Sequence, residues 1–227
     1  MDTKEMETRI KELEEKVRVL EDLEAIKRLQ RSYGYYLEHW MYEEVIDCFA
    51  DAPGTVLNIM AGIYQEKEGV RRYFTGEKDR YSNPELLHQI MQLSGVVDIA
   101  SDGKTAEGRW YGFGAAAIPR GEGIIQNLTG GIYTVTYIKE DGKWKIHKLM
   151  WNPCYTCPPA EGWVKPERVN AARIQTGGVY PRADKPRELD PHYPSGYIVP
   201  FHYKHPVSGK VTSEREHNKA MNIKGAE

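Results

Sequence analysis

The chain predicts an α+β domain in which a cone-shaped, curved mixed sheet wraps around a few helices. Three observations predict it. Apolar residues recur at spacings of three and four as far as Trp40. From Thr55 this texture gives way to short strand-like segments. From His88 to Trp151, long strand-like runs are separated by Asp-Gly turns.

In order, residues 1–23 carry Met6, Ile10, Leu13, Val17 and Leu20 in a narrow heptad seam among Glu, Lys and Arg. So narrow a seam suits a partner helix, which makes this segment a helical oligomerisation arm; the alternative is a helix packed on its own domain. It runs on into a helix with Ile26, Leu29, Tyr33, Tyr36 and Trp40 on one buried face, the start of a domain spanning 24–155. Thr55–Met60 reads as a strand, Ala61-Gly62 as a turn, Ile63-Tyr64 as the return, and Glu66–Phe74 as a short helix. Asn83-Pro84 reads as a helix cap with a first-turn proline. Long strands follow at His88–Ile99 and Thr105–Ala117, then a hairpin of Thr129–Lys139 and Lys143–Trp151. Residues 156–227 hold nine of the 13 prolines, which excludes a regular core, yet retain Trp163, Tyr180, Tyr193, Tyr197, Phe201 and Tyr203. They read as an irregular extension draped over the domain or a neighbouring subunit, loose from Ser208 onward.

Composition excludes several classes. Net charge is -2 with both signs mixed, which argues against nucleic acid or an anionic membrane surface as partner. No apolar run approaches the ~20 residues of a membrane span, and the charged N-terminus lacks a signal-peptide core, so a cytoplasmic location is expected. Cys154 and Cys157 form a lone Cys-x-x-Cys without further ligands and read as ordinary reduced cysteines. His202 and His205 have no acidic or thiol cluster near them, and no Gly-rich nucleotide loop occurs, so neither metal nor organic cofactor is expected. The 15 Tyr and 5 Trp suit a pocket for a large aromatic or oxygenated small molecule, although core and interface account for most of them.

Tyr33, Glu38 and His88 supply phenol, carboxylate and imidazole, the groups that move protons without a cofactor. Tyr33 and Glu38 are separated by about 140° on an ideal helix and share a face only if the helix bends or ends there. Strand alternation puts His88, Ile90, Gln92 and Ser94 on one face, and His147, Leu149 and Trp151 on another. Further pocket candidates are Tyr36, Trp40, Gln92, Trp110, Asn127, His147 and Trp151. Each has an ordinary alternative: a solvated helix-end carboxylate for Glu38, a hydrogen-bonded strand histidine for His88, a core tyrosine for Tyr33.

Several ordered pieces carry a resemblance: Ala25-Ile-x-x-Leu-x-x-x-Tyr33 with a carboxylate five residues on, Phe49-Ala50-Asp51, Gly62-x-Tyr64, Gly69–Phe74, His88, Asp102-Gly-Lys-Thr-Ala106, Gly108-Arg-Trp-Tyr111, Gly131-x-Tyr133 and Asp141-Gly-x-Trp144-x-Ile146. From about Glu24 to Tyr155 the chain resembles the SnoaL-like branch of the nuclear transport factor 2-like superfamily. That resemblance implies a conical pocket between helices and concave sheet. The superfamily includes many non-catalytic binders. Its catalytic members resemble ketosteroid isomerase, scytalone dehydratase, bile-acid dehydratase and hexachlorocyclohexane dehydrochlorinase, and work without metal or organic cofactor. In the dehydratase and dehydrochlorinase types a helix carboxylate pairs with a histidine on the first long strand, which here implies Glu38 with His88. Glu38 departs from the usual Asp. A homo-oligomer is implied, a trimer ahead of a dimer.

The resulting expectation is a cofactor-independent lyase that eliminates water or formaldehyde from an aromatic or polycyclic alcohol, with lignin-derived diarylpropanes as one substrate class. The rivals are an isomerase of the ketosteroid-isomerase type and a non-catalytic ligand-binding or assembly domain. A binder needs no ionisable pair in its pocket, so Glu38 and His88 should then sit apart.

Overall fold

The computed structural model describes residues 2–162 and 204–221; the aromatics from Trp163 to Tyr203 lie outside them. Helix α1 runs unbroken over Thr3–Glu38, capped by Asp2, whose side chain accepts from the Glu5 N–H at 2.8 Å. Its first turns stand clear of the domain, and Met6, Ile10, Leu13, Val17 and Leu20 are all exposed. Docking is secured at Asp22, which accepts from Lys139 Nζ and Trp144 Nε1, each at 2.8 Å. From there Ile26, Leu29, Tyr33 and Tyr36 are buried. No described helix is long and apolar enough to cross a membrane.

The end of α1 is sharply defined. Trp40 adopts a left-handed backbone (φ 51°), the Trp40 N–H bonds Leu37 O, and the Met41 N–H bonds Tyr36 O at 2.9 Å. This is a Schellman-type stop in which an indole residue occupies the position that favours glycine. Helices α2 (Tyr42–Asp47) and α3 (Glu66–Gly76) flank the hairpin of β1 (Val56–Ile59) and β2 (Gly62–Gln65). A short 3₁₀ turn, Lys78–Ser82, follows α3. The expected helix after Asn83 is absent. Asn83 Oδ1 instead accepts from the Glu85 N–H at 2.9 Å, an Asx turn that leads directly into the sheet.

Four long strands form an antiparallel meander: β3 (Leu87–Ile99), β4 (Thr105–Arg120), β5 (Gly123–Glu140) and β6 (Lys143–Cys157). The β4–β5 hairpin extends well past Ala117, turning at Gly121 (φ 58°). The six-stranded sheet has the order β2-β1-β6-β5-β4-β3, and β1 lies parallel to β6. It is curved and does not close. Bulges contribute the bend: Ser94-Gly95 of β3 oppose Trp110 alone, and His147 and Cys154 are extra residues in β6. Ser94 therefore leaves the alternation that holds from His88 to Gln92. Gly95 is required at its bulge, because a Cβ there would lie 2.2 Å from the Trp110 ring.

Between Ser208 and Met221 the chain is not loose. Residues 204–221 pack on the same domain, with Val207 in the core and Thr212, Glu214, His217 and Asn218 buried. His205 stacks on Tyr36 at 5.1 Å and donates from Nε2 to Glu44 O at 2.8 Å. Glu44 accepts the Ser213 N–H, and Tyr81 Oη donates to Ser213 O, each at 2.8 Å. A short helix, α4 (Glu214–Ala220), completes the segment. Glu214 in it accepts from Thr212 Oγ1 at 2.6 Å, a pairing that composition does not disclose.

Candidate functional site

Between the C-terminal half of α1, the β1–β2 hairpin, α3 and the concave face of β3–β6 lies a chamber of about 360 Å³. Its size suits a small organic molecule. Tyr33, Trp40, His88, Asn127 and Trp151 line it, together with Tyr73, Phe74, Arg80, Thr129 and Tyr133. Trp40 is the fixed wall. Its indole is buried, packs tilted on Phe74 at 5.4 Å, and carries the Arg80 guanidinium 4.4 Å from its centroid. The strained backbone at Trp40 is held by this packing.

His88 meets Trp40 edge-on at 5.9 Å. Its Nδ1 is buried and has no hydrogen-bond partner among the described residues. Burial, and then the nearby Arg80 charge, lowers the His88 pKa from 6.5 to about 4, so the imidazole is neutral at physiological pH. Tyr33 is buried against Phe49, ring edge to face at 6.1 Å, and burial pushes its phenol well above the ordinary value. Burial also raises the Tyr73 and Tyr133 phenols. Arg80 is the one Lys, Arg, Asp or Glu among the lining residues, and it is bridged to Glu77 at 2.9 Å. The chamber thus offers a neutral imidazole acceptor, protonated phenol donors and a single cationic pole.

Glu38 sits elsewhere. Because α1 stays helical through Glu38, Tyr33 and Glu38 keep their separation around the helix. The Glu38 carboxylate accepts from Gln89 Nε2 at 3.0 Å, in a groove between α1 and β3 that Gly34, Tyr35, Met91 and Leu93 also line. Gln89 neighbours His88 in sequence and so points to the opposite face of β3. Burial raises the Glu38 pKa, with the Gln89 hydrogen bond acting against it. The structure thus brings Tyr33 and His88 to one chamber and leaves Glu38 outside it.

Four other expected pocket residues are also placed away from the chamber. Tyr36 packs under His205 and does not line the chamber. Trp110 is buried core and donates to Tyr137 Oη at 2.9 Å. Tyr137 donates to Gln30 Oε1, and Gln30 Nε2 donates to Gln92 Oε1, each at 2.8 Å, so Gln92 ends a structural chain. Gly34 lets Gln92 lie against α1, since a Cβ there would be 2.6 Å from Gln92 Cγ. His147 is the bulged residue of β6 and donates to Pro53 O at 3.1 Å, so it does not share a face with Leu149 and Trp151. Sequence reasoning did not single out Arg80, Tyr73, Thr129 or Phe74. Arg80 stands in a 3₁₀ turn without any motif, whereas Tyr133 lies in the Gly131-x-Tyr133 piece and was legible there.

Among the described residues no group of three His, Cys, Asp or Glu is placed to hold a metal. Cys154 is exposed, Cys157 buried, and both are free thiols.

Comparison with known proteins places this architecture. Residues 18–150, more than half of the chain, match the family model of the SnoaL-like domain. Among solved structures, similarity extends to a candidate scytalone dehydratase from Novosphingobium aromaticivorans, at 17% identity over 63% of this chain and 90% of that one, with a TM-score of 0.50. A candidate aromatic ring hydroxylase from the same organism is 20% identical over 61% of this chain and 93% of that one, with a TM-score of 0.51. The hexachlorocyclohexane dehydrochlorinase LinA, type 2, is 17% identical over 68% and 99%, with a TM-score of 0.51. At these identities the likeness is one of fold. The chain belongs to the SnoaL-like domain family and has the nuclear transport factor 2-like cone fold.

Proposed function

We propose that this protein is a cofactor-independent lyase that acts on an aromatic or polycyclic alcohol in the chamber. The observation that carries the proposal is His88. It is a buried imidazole held neutral, with Nδ1 lacking a partner among the described residues, on the wall of an aromatic cavity. Such a group can accept a proton. In the loss of water, His88 takes a C–H proton, the electron pair forms the new double bond, and the hydroxyl leaves with a proton from Tyr33. In the loss of formaldehyde, His88 takes the O–H proton of a hydroxymethyl group and the C–C bond breaks. Its electrons form the alkene while a neighbouring hydroxyl takes a proton from Tyr33 and leaves as water. A lignin-derived diarylpropane is the substrate suited to that second route. Arg80 stabilises negative charge that develops on the substrate. Proton return from His88 to Tyr33 restores the starting state.

Membership of the SnoaL-like family and kinship in fold with dehydratase and dehydrochlorinase structures support this class. The separation of Glu38 from His88 favours a second reading, a non-catalytic binder of the same ligands. Turnover screening of lignin dimers, steroids and polyketide alcohols with wild type and His88→Ala decides between them. Turnover that depends on His88 supports the lyase. Binding of these compounds without turnover supports the binder, and rearrangement without a leaving group supports the isomerase.

A further inference from the structure

We propose that the free first half of α1 pairs with the same segment of a second copy as a parallel, two-stranded coiled coil. Met6, Ile10, Leu13, Val17 and Leu20 form an apolar seam, each 42–65% exposed. Leu20 and Leu29 are nine residues apart, about 180° around the helix. The seam therefore points away from the domain that Leu29 enters. Arg18, on the domain side, already reaches the turn at Gly103. The domain in hand thus cannot cover the seam.

The charges beside the seam choose the occupant. With Ile10 and Val17 at a and Met6, Leu13 and Leu20 at d, the e positions are Glu7, Glu14 and Glu21, and the g positions are Arg9, Lys16 and Leu23. In a parallel pair, Arg9 of one helix faces Glu14 of the other and Lys16 faces Glu21, in both directions. An antiparallel pair sets glutamates against glutamates and bases against bases. A second copy in parallel is the arrangement in which both bases beside the seam, Arg9 and Lys16, meet a glutamate. Arg9 pairs with Glu12 of its own helix at 3.3 Å, an exposed contact that is easily exchanged. Beta-branched residues at a with leucine at d select two strands rather than three. Below the seam its line continues through exposed Glu24 and Arg31.

The test uses the full chain. Light scattering at micromolar concentration should give twice the chain mass for wild type and the single mass for Ile10→Asp/Leu13→Asp, whose circular dichroism should still report a folded domain. That double substitution should weaken association roughly 100-fold or more. Lys16→Glu should dissociate alone and regain a dimer when mixed with Glu21→Lys. In a Cys154→Ser background, Met6→Cys should oxidise to a covalent dimer, because a parallel pair sets residue 6 beside its own copy. A monomeric wild type, a trimeric mass, an assembly unaffected by the seam substitutions, or failure of Met6→Cys to cross-link would each overturn the proposal.

Discussion

The chamber and the groove share one helix, α1, and one strand, β3, yet their ionisable groups shift in opposite directions. His88 in the chamber falls to about 4, while Glu38 in the groove rises. An imidazole paired with a carboxylate would show the reverse, since each charge would stabilise the other. Both groups answer mainly to burial, each favouring its neutral form. The difference teaches that neither is the other's partner in this arrangement. On the proposed reading, the proton chemistry of the chamber draws on His88, Tyr33 and Arg80.

The most severe way to break this contrast is His88→Ala. On an accepted substrate it should cost at least ~10²-fold in kcat, the usual scale for a general base. Steady-state kinetics would check this, with the fold confirmed by circular dichroism. Arg80→Gln should act next, at roughly tenfold. It should appear in KM if the guanidinium mainly holds substrate and in kcat if it meets charge that develops in the transition state.

Acid sharpens the comparison through stability. A histidine whose folded pKa lies below its unfolded value stabilises the fold above the unfolded value and loses that contribution as pH falls. For His88, and for His39, also lowered to about 4 by burial and the neighbouring His217, the window runs from 6.5 down to about 4. Each contributes up to about 3 kcal/mol. The raised carboxyl of Glu38 has the opposite sign, because protonation relieves its burial. Thermal melts between pH 7 and 4 should therefore show a net loss of stability that is smaller in His39→Asn, and Glu38→Gln should steepen it. The smallest effect expected is on catalysis by Glu38→Gln itself, under about tenfold, through its contact with Gln89 beside His88. A loss as large as that of His88→Ala would mean that ligand binding draws the two groups together and would break the contrast.

The cone was legible because its signals are local. Asp-Gly turns marked strand ends at Gly103 and Gly142, and the buried face of α1 followed from spacing alone. Tyr33, Trp40, His88 and Trp151 could be named for the chamber from helical or strand periodicity, whereas Asn127, which also lines it, lies ahead of the strand expected from Thr129. The rest failed for physical reasons. A bulge at His147 breaks the alternation that joined it to Trp151, and no sequence signal announces one extra residue. Trp110 and Gln92 are absorbed by a hydrogen-bond chain through Tyr137 and Gln30, residues 107 positions apart. Arg80 reaches the chamber only because a 3₁₀ turn carries it over Trp40. The packed tail from Ser208 looked polar and loose, since burial of His217 and Asn218 depends on a distant surface.

The bulges of β3 and β6 have a consequence for how such a chamber diversifies. Each is a phase change of one residue: before it one set of side chains faces inward, and after it the complementary set. Deleting His147 would remove the bulge and leave a plain alternation in which Ile146, Leu149 and Trp151 still face inward. A single-codon gap there would straighten the wall, and so change the shape of the chamber, without exchanging any amino acid in its lining.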